Sequence, residues 1–301
     1  VTLSGSSDIN LQNSSGGIGI YVNNGILNGT GTLSVGSDSV GIYAKDSTVN
    51  LSGVTLNMTG NNILGFYLDG NTNFSGSGNI NISGNNIAVF NILSNGVFNQ
   101  NFNIASTAGS TYTIGNVKNG TFHYNGTANL AGNGSLINGK DSAVLLDTGS
   151  TLVSSGDNTI GAVLEGQYNS TLPGGFTAGI DAENRGTMAF GNSSAGLYGS
   201  NGTRLKNIGS ISLGDSSMGL HTNGSGSYAL NDGSIAMGSL SVGIYGQNSS
   251  NLENLSNGVI TGNGRETVGI YGEGSAPLVI ANDGRIELNG DKSIGIYSKA
   301  N

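Results

Sequence analysis

Apolar residues along this chain come in short runs, each punctuated by Gly, and no segment shows the 3.6-residue period of a helix. The clearest run is a four-residue block, Val242-Gly243-Ile244-Tyr245, which recurs as Val268-Gly269-Ile270-Tyr271 and Ile294-Gly295-Ile296-Tyr297. Near the start it reads Ile18-Gly19-Ile20-Tyr21, Val40-Gly41-Ile42-Tyr43 and Leu64-Gly65-Phe66-Tyr67. Degenerate copies are Ile160-Gly161-Ala162-Val163, Ala178-Gly179-Ile180-Asp181, Ala195-Gly196-Leu197-Tyr198 and Met218-Gly219-Leu220-His221. Two more lack the Gly: Ala88-Val89-Phe90-Asn91, and Ala143-Val144-Leu145-Leu146, which is placed by its flanking Asp141-Ser142 and Ser150-Thr151-Leu152. One long gap between copies conceals a further repeat, for which Ile114-Gly115 is the candidate. The mean repeat is about 23 residues, the length range of a stacked solenoid. The Leu-x-x-Leu-x-Leu signature of leucine-rich repeats is absent.

A second block, Gly-x-apolar-x-apolar, accompanies the first, as in Gly209-Ser210-Ile211-Ser212-Leu213 and Gly233-Ser234-Ile235-Ala236-Met237. Its period of two describes a strand with one buried face. A third, looser apolar stretch (Leu205, Leu230, Val279-Ile280) precedes it. An Asn often follows that stretch, at Asn184, Asn207, Asn231 and Asn282. Asn tolerates left-handed backbone, so this position reads as a recurrent corner.

Three short strands and three corners per repeat predict an all-β chain: a right-handed parallel β-helix of about 13 coils, forming one domain over 1–301. Residues 91–142 lose the block and read either as diverged coils or as an extruded loop. Residues 167–176 carry Pro173-Gly174-Gly175 and read as a loop by turn chemistry.

Strand alternation places the first and third positions of the block inside and its Gly and Tyr outside. Stacked coils then carry an outward column of Tyr21, Tyr43 and Tyr67, and another of Tyr198, His221, Tyr245, Tyr271 and Tyr297. Asn91, Leu146, Val163 and Asp181 interrupt it. Such a column serves as a structural ladder, or as a binding strip for a sugar or protein partner. The densest aromatic group, Tyr112, Phe122 and Tyr124 beside His123, is a second candidate ligand surface.

Composition narrows the function. Of 301 residues 54 are Gly, and the formal charge is −8, with ten Lys and Arg scattered along the chain. Nucleic acids and anionic membrane surfaces need clustered cations, so neither is an expected partner. No Cys is present, which removes disulfides and thiolate metal sites. No apolar window of ~18 residues offers a transmembrane helix. The pattern is already under way at Val1, so the chain reads as a piece of a longer exported protein.

Parallel β-helices also host polysaccharide-degrading enzymes, and glycoside hydrolysis needs two facing carboxylates. Asp181 and Glu183, with Arg185 alongside and Glu165 about one coil away, are the nearest set; they read as a solvated polar corner. His123 and His221 fit no zinc spacing. The calcium nonapeptide and the phosphate-binding glycine loop are both absent. No catalytic, metal or cofactor residue is therefore assigned, and a non-enzyme is expected.

The Val-Gly-Ile-Tyr-Gly repeat, the Asn-x-Gly-x-Ile turns, the Gly/Asn/Ser bias and the lack of Cys resemble the passenger regions of bacterial type V autotransporters, the large fusobacterial adhesins above all. The resemblance implies an extracellular passenger, a monomer held at the outer membrane by a C-terminal barrel outside this sequence. It also implies attachment to a protein or glycan receptor on host cells or other bacteria. No binding residue transfers from it to a numbered position.

Overall fold

The computed structural model describes residues 8–248, 251–274 and 278–300, which form 29 β-strands and no helix. Each coil supplies three strands, and every strand pairs in parallel with its equivalent one coil away. The result is a three-faced parallel β-solenoid.

The tyrosine face is built from strands such as Val40–Lys45, Ala195–Ser200, Met218–Asn223 and Val242–Gln247. The asparagine face follows it in each coil, as in Arg204–Asn207 and Tyr228–Asn231. The third face closes the triangle with strands such as Ser210–Leu213 and Ser234–Met237. Thr48–Gly70 and Asn73–Ser94 run around corners without a break, each covering all three faces. Equivalent residues stack in register, so Leu197, Leu220, Ile244 and Ile270 form one inner column, each 0% exposed. Burying such a side chain is worth about 1.5–3 kcal/mol, but only when a coil lies on either side of it.

Twelve coils are present among the described residues, rather than thirteen. Ala143–Leu146 belongs to the asparagine face: it pairs with Thr121–Tyr124 and with Ala182–Asn184. Ala178-Gly179-Ile180-Asp181 belongs to no tyrosine-face strand and leads into Ala182–Asn184. The concealed tyrosine-face coils are Tyr112–Lys118 and Gly134–Lys140. In the first, Ile114 stands where other coils have Gly, and Gly115 takes the third position. The order of small and large is swapped, which hid the repeat. Residues 91–142 are thus ordinary coils, and the tyrosine-face spacing stretches only where 166–181 is inserted after Thr159–Glu165.

The block itself is oriented differently from simple alternation. Its third and fifth residues face the core, as with Ile42 at 2% and Ala44 at 0% exposure, and Tyr43 points outward. The first residue is half-exposed, and Ile18 reaches 49%. The Gly is turned inward. A Cβ there would lie 2.5–2.7 Å from the carbonyl oxygen of the next coil for Gly19, Gly41, Gly65, Gly161, Gly196, Gly219, Gly243 and Gly269. It would also meet third-face Leu, Ile, Val, Met or Phe side chains such as Ile235 and Ile260. The Gly is conserved within the repeat because backbone and core approach each other there too closely for a side chain.

Aromatic residues fill the core of the N-terminal half. Phe66 stacks on Phe90 at 4.9 Å, and Phe74, Phe98 and Phe122 form a second stack at 5.1 and 5.0 Å. Tyr112, Phe122 and Tyr124, expected as a ligand surface, belong to this interior, with exposures of 6%, 0% and 1%. Their apolar bulk is what the core takes in, and Tyr112 satisfies its hydroxyl on Ser106 at 3.1 Å.

The corners divide into two chemistries. Left-handed backbone is taken by Asn24, Asp46, Asn119, Asp141, Asn201 and Asn248 on leaving the tyrosine face, and by Asp38, Asn62, Asn86 and Asn158 on entering it. Leu240 takes the same conformation, φ 59°, with its side chain 48% exposed. Leu has no local hydrogen bond to offset that strain. Leu240→Asn is expected to stabilise the chain by about 1 kcal/mol, read as a rise in the urea midpoint at unchanged slope.

The Asn residues expected as left-handed corners play another part. Asn184, Asn207 and Asn231, joined by Asn254, which was not among those expected, end strands of the asparagine face with their side chains buried to 0–1% exposure. Each amide donates to the next Asn Oδ1 at 2.8 Å, from Asn184 through Asn207, Asn231 and Asn254 to Asn282. The ladder starts at Asn184 because the preceding coil carries Leu146 there, which leaves the Asn184 Oδ1 without a partner.

Candidate functional site

Two features depart from a plain rod: the outer surface of the tyrosine face, and the insertion at 166–181.

On the tyrosine face, register brings together one outward column. It runs Tyr21, Tyr43, Tyr67, then Asn91, Asn116, Asn138, Val163, then Tyr198, His221, Tyr245, Tyr271 and Tyr297. Leu146 and Asp181, expected to interrupt this column, lie elsewhere; Asn116 and Asn138 take their places beside Asn91 and Val163. Tyr21, Tyr43 and Tyr67 stack at 5.3 and 4.9 Å. In the second group the ring centroids lie 4.7–5.2 Å apart from Tyr198 to Tyr297; Tyr198 and His221 meet edge-on, the next two pairs are tilted, and Tyr271 and Tyr297 stack. Each ring covers part of its neighbour, so most remain half-buried, while Tyr21 and Tyr297 at the ends are 58% and 40% exposed.

The hydroxyls are organised as well. Tyr245 and Tyr271 both donate to Glu273, at 2.6 and 2.8 Å. Those two bonds hold the Glu273 carboxyl below its ordinary range. Burial, and then the bond to Glu273, raise Tyr245, so the ring stays neutral and donating. Beside this column runs a half-exposed aliphatic one, including Val40, Met218, Val242 and Val268. Together they give the rod an amphipathic strip in two segments, separated by the coils that carry Asn91, Asn116, Asn138 and Val163.

His221 replaces a Tyr between Tyr198 and Tyr245. Its Nε2 is buried without a hydrogen-bond partner, and burial pushes its pKa down to about 4. The unfolded chain takes up a proton near 6.5, whereas the folded chain resists until about 4. Stability is therefore fully present above pH 6.5 and falls as pH drops toward 4, on the order of 1–2 kcal/mol for a ring that keeps some exposure. His221→Tyr is expected to remove that part of the pH dependence, seen as a flatter urea midpoint between pH 4 and 6.5.

The insertion lies over the asparagine face. Leu145 sits at an outward strand position yet is 0% exposed, and a Cβ on Gly175 would lie 3.9 Å from it. Asp181, fully buried, is gripped by Arg204 through Nη2 at 2.6 Å and Nε at 2.8 Å, and also accepts from the backbone N–H of Tyr168 and Arg204. Glu183, 2% exposed, accepts from Arg185 at 2.8 Å and Thr177 at 2.9 Å. Arg185 reaches on to Asp147, which also holds His123 at 2.9 Å. The backbone N–H of Thr148, the His123 contact and the Arg185 charge outweigh burial and lower Asp147.

Asp181 and Glu183 are thus buried staples for the insertion rather than a solvated corner, with their oxygens already occupied. Glu165 lies on the tyrosine face, where it meets Lys140 and Asn201. The three carboxylates do not converge on a common cleft. Among the described residues no three His, Asp or Glu side chains gather as metal ligands. Sequence reasoning could not foresee the Arg204–Asp181 clamp, because its partners are separated by the strands of a coil.

Comparison of the chain with protein-family models, with curated proteins and with solved structures returns no match.

Proposed function

We propose that this chain is a segment of a surface-displayed autotransporter passenger, serving as an adhesin or adhesin stalk. In this reading it stands outside the outer membrane as a monomeric rod, anchored by a barrel outside this sequence. It attaches the bacterium to a receptor on host cells or other bacteria. The observation that carries the reading is the amphipathic strip of the tyrosine face: outward aromatic and aliphatic columns along a rod of roughly 55 Å. Solvent-facing rings beside aliphatic side chains suit contact with sugars or proteins. The carboxylates engaged in staples give an enzymatic reading little to work with.

The mutual stacking of the rings favours a second reading, a spacer whose Tyr column only stiffens the rod. Fluorescent purified chain should bind saturably to at least one member of a panel of bacterial and epithelial cells. Absence of binding throughout the panel would defeat the adhesin reading and leave the spacer. The spacer reading predicts that deleting two whole coils from the full-length protein leaves adhesion intact.

A further inference from the structure

We infer that the interruption of the tyrosine column is an oligosaccharide-binding trough that prefers sugars bearing an anionic group. The inference rests on the adhesive reading above and names its ligand class.

The trough arises from side-chain size. Where Tyr67 and Tyr198 bound the column, Asn91, Asn116, Asn138 and Val163 fill the four coils between them. The missing rings leave a depression of about 320 Å³, lined by these four with Leu93, Lys118, Lys140 and Glu165. A second depression of about 300 Å³ adjoins it at Asn138 and adds Asn86, Thr111, Thr113, Asn133 and Ser135. At ~4.8 Å per coil, the distance from Tyr67 to Tyr198 is roughly 24 Å. That length accommodates several sugar rings laid along the rod axis.

Its chemistry is that of a sugar site. The walls offer amides and hydroxyls, which donate and accept in the way sugar hydroxyls require. The Asn138 amide donates to Asn116 at 3.2 Å, so the two are held in one orientation. Aromatic rings stand at both ends.

Charge distinguishes this stretch from the rest of the rod. Two residues beyond the Tyr column runs a polar column in which neighbouring charges are of opposite sign: Lys45 beside Asp69, Lys140 beside Glu165, Glu273 beside Lys299. Lys118 and Lys140 are the exception, like charges placed directly opposite each other. Such a pair destabilises a sheet on its own. Lys140 has Glu165 at 3.8 Å, with both side chains over half exposed, whereas Lys118 has no ion-pair partner among the described residues. With Glu165 set against Lys140, Lys118 is left as one unmatched cation on the trough rim of a chain of net charge −8, and it calls for an anion. A carboxylate or sulfate on a sugar supplies one, with charge-assisted hydrogen bonds.

The test is calorimetric titration of the folded chain with 3′-sialyllactose, with a heparin-derived tetrasaccharide and with neutral lactose. At least one anionic probe should bind about tenfold or more tightly than lactose; the carboxylate and sulfate arms tell which anion is read. Lys118→Gln with Lys140→Gln should remove that preference. Asn116→Tyr, which extends the existing ladder into the trough, should abolish binding of the preferred probe, while Ser212→Ala on the third face should leave its affinity unchanged. If Asn116→Tyr does not fold, the exposed lysine pair carries the test. Equal affinity for neutral and anionic sugars, no saturable binding at millimolar probe, or binding indifferent to both trough variants overturns the inference. Cells captured equally by wild type and Asn116→Tyr would remove the trough yet leave the adhesive reading standing. Capture by neither would remove the adhesive reading.

Discussion

Asn231→Ala is expected to lower stability by about 3 kcal/mol, although the side chain touches no ligand. The substitution removes an acceptor from Asn207 and a donor from Asn254, both at 2.8 Å inside the rod. It also removes a donor to the Gly233 carbonyl at 3.1 Å. Each buried polar group left unpaired costs about 1–3 kcal/mol, and water cannot reach them without opening the coil. The loss should appear as a lower urea midpoint. The exposed Asn257, whose amide reaches Asp232 at 3.1 Å, is the control: its replacement by Ala should change stability by under ~0.5 kcal/mol. A drop at Asn231 no larger than at Asn257 would mean the ladder adds nothing.

Gly243→Ala is the second large effect, also about 3 kcal/mol. One methyl would lie 2.6 Å from the Gly269 carbonyl oxygen and 2.6 Å from Ile260 Cγ2. Neither neighbour is a free side-chain end, so the strand pairing or the core must shift. The same motif supplies its own control. Gly295 holds the equivalent position in the last described coil and has nothing within 4 Å, so Gly295→Ala in this 301-residue chain should be neutral. Equal effects at the two sites would show that the motif Gly is a turn preference rather than a packing requirement. Because coils are stabilised only by neighbours, damage at Gly243 should also spread along the stack, broadening the thermal transition.

The architecture was readable because period-two runs and a recurring block impose coil length and strand content directly. Local orientation was less so. Alternation alone puts the block's Gly outside, but the bonded register skips that residue and turns it into the core. Ile114-Gly115 gave only a weak signal because its coil exchanges the small and large positions, and Leu136-Ile137 escaped because that coil carries a large residue at both and so lacks the motif Gly. Phe122 and Tyr124 read as a surface cluster since aromatic density in sequence does not tell which side of a strand a ring takes. The candidate surface divides likewise. The column from Tyr198 to Tyr297 follows from stacking identical blocks. The trough depends on which residues replace Tyr in the middle coils, and that needs their register. Asp181 and Arg204 stand 23 positions apart, yet one coil brings them to hydrogen-bond distance.

The central claim is that the tyrosine face is the one that meets the partner. The chain contains no Cys, so a single cysteine can carry a bulky polymer on each face in turn. Lys118→Cys serves the tyrosine face, Val279→Cys the asparagine face and Ser212→Cys the third, all at exposed positions. Cell binding of the three conjugates is then measured against the unconjugated chain. Loss of binding with the Lys118 conjugate alone is the predicted result. Binding that survives there and is lost with the Val279 or Ser212 conjugate would contradict the account.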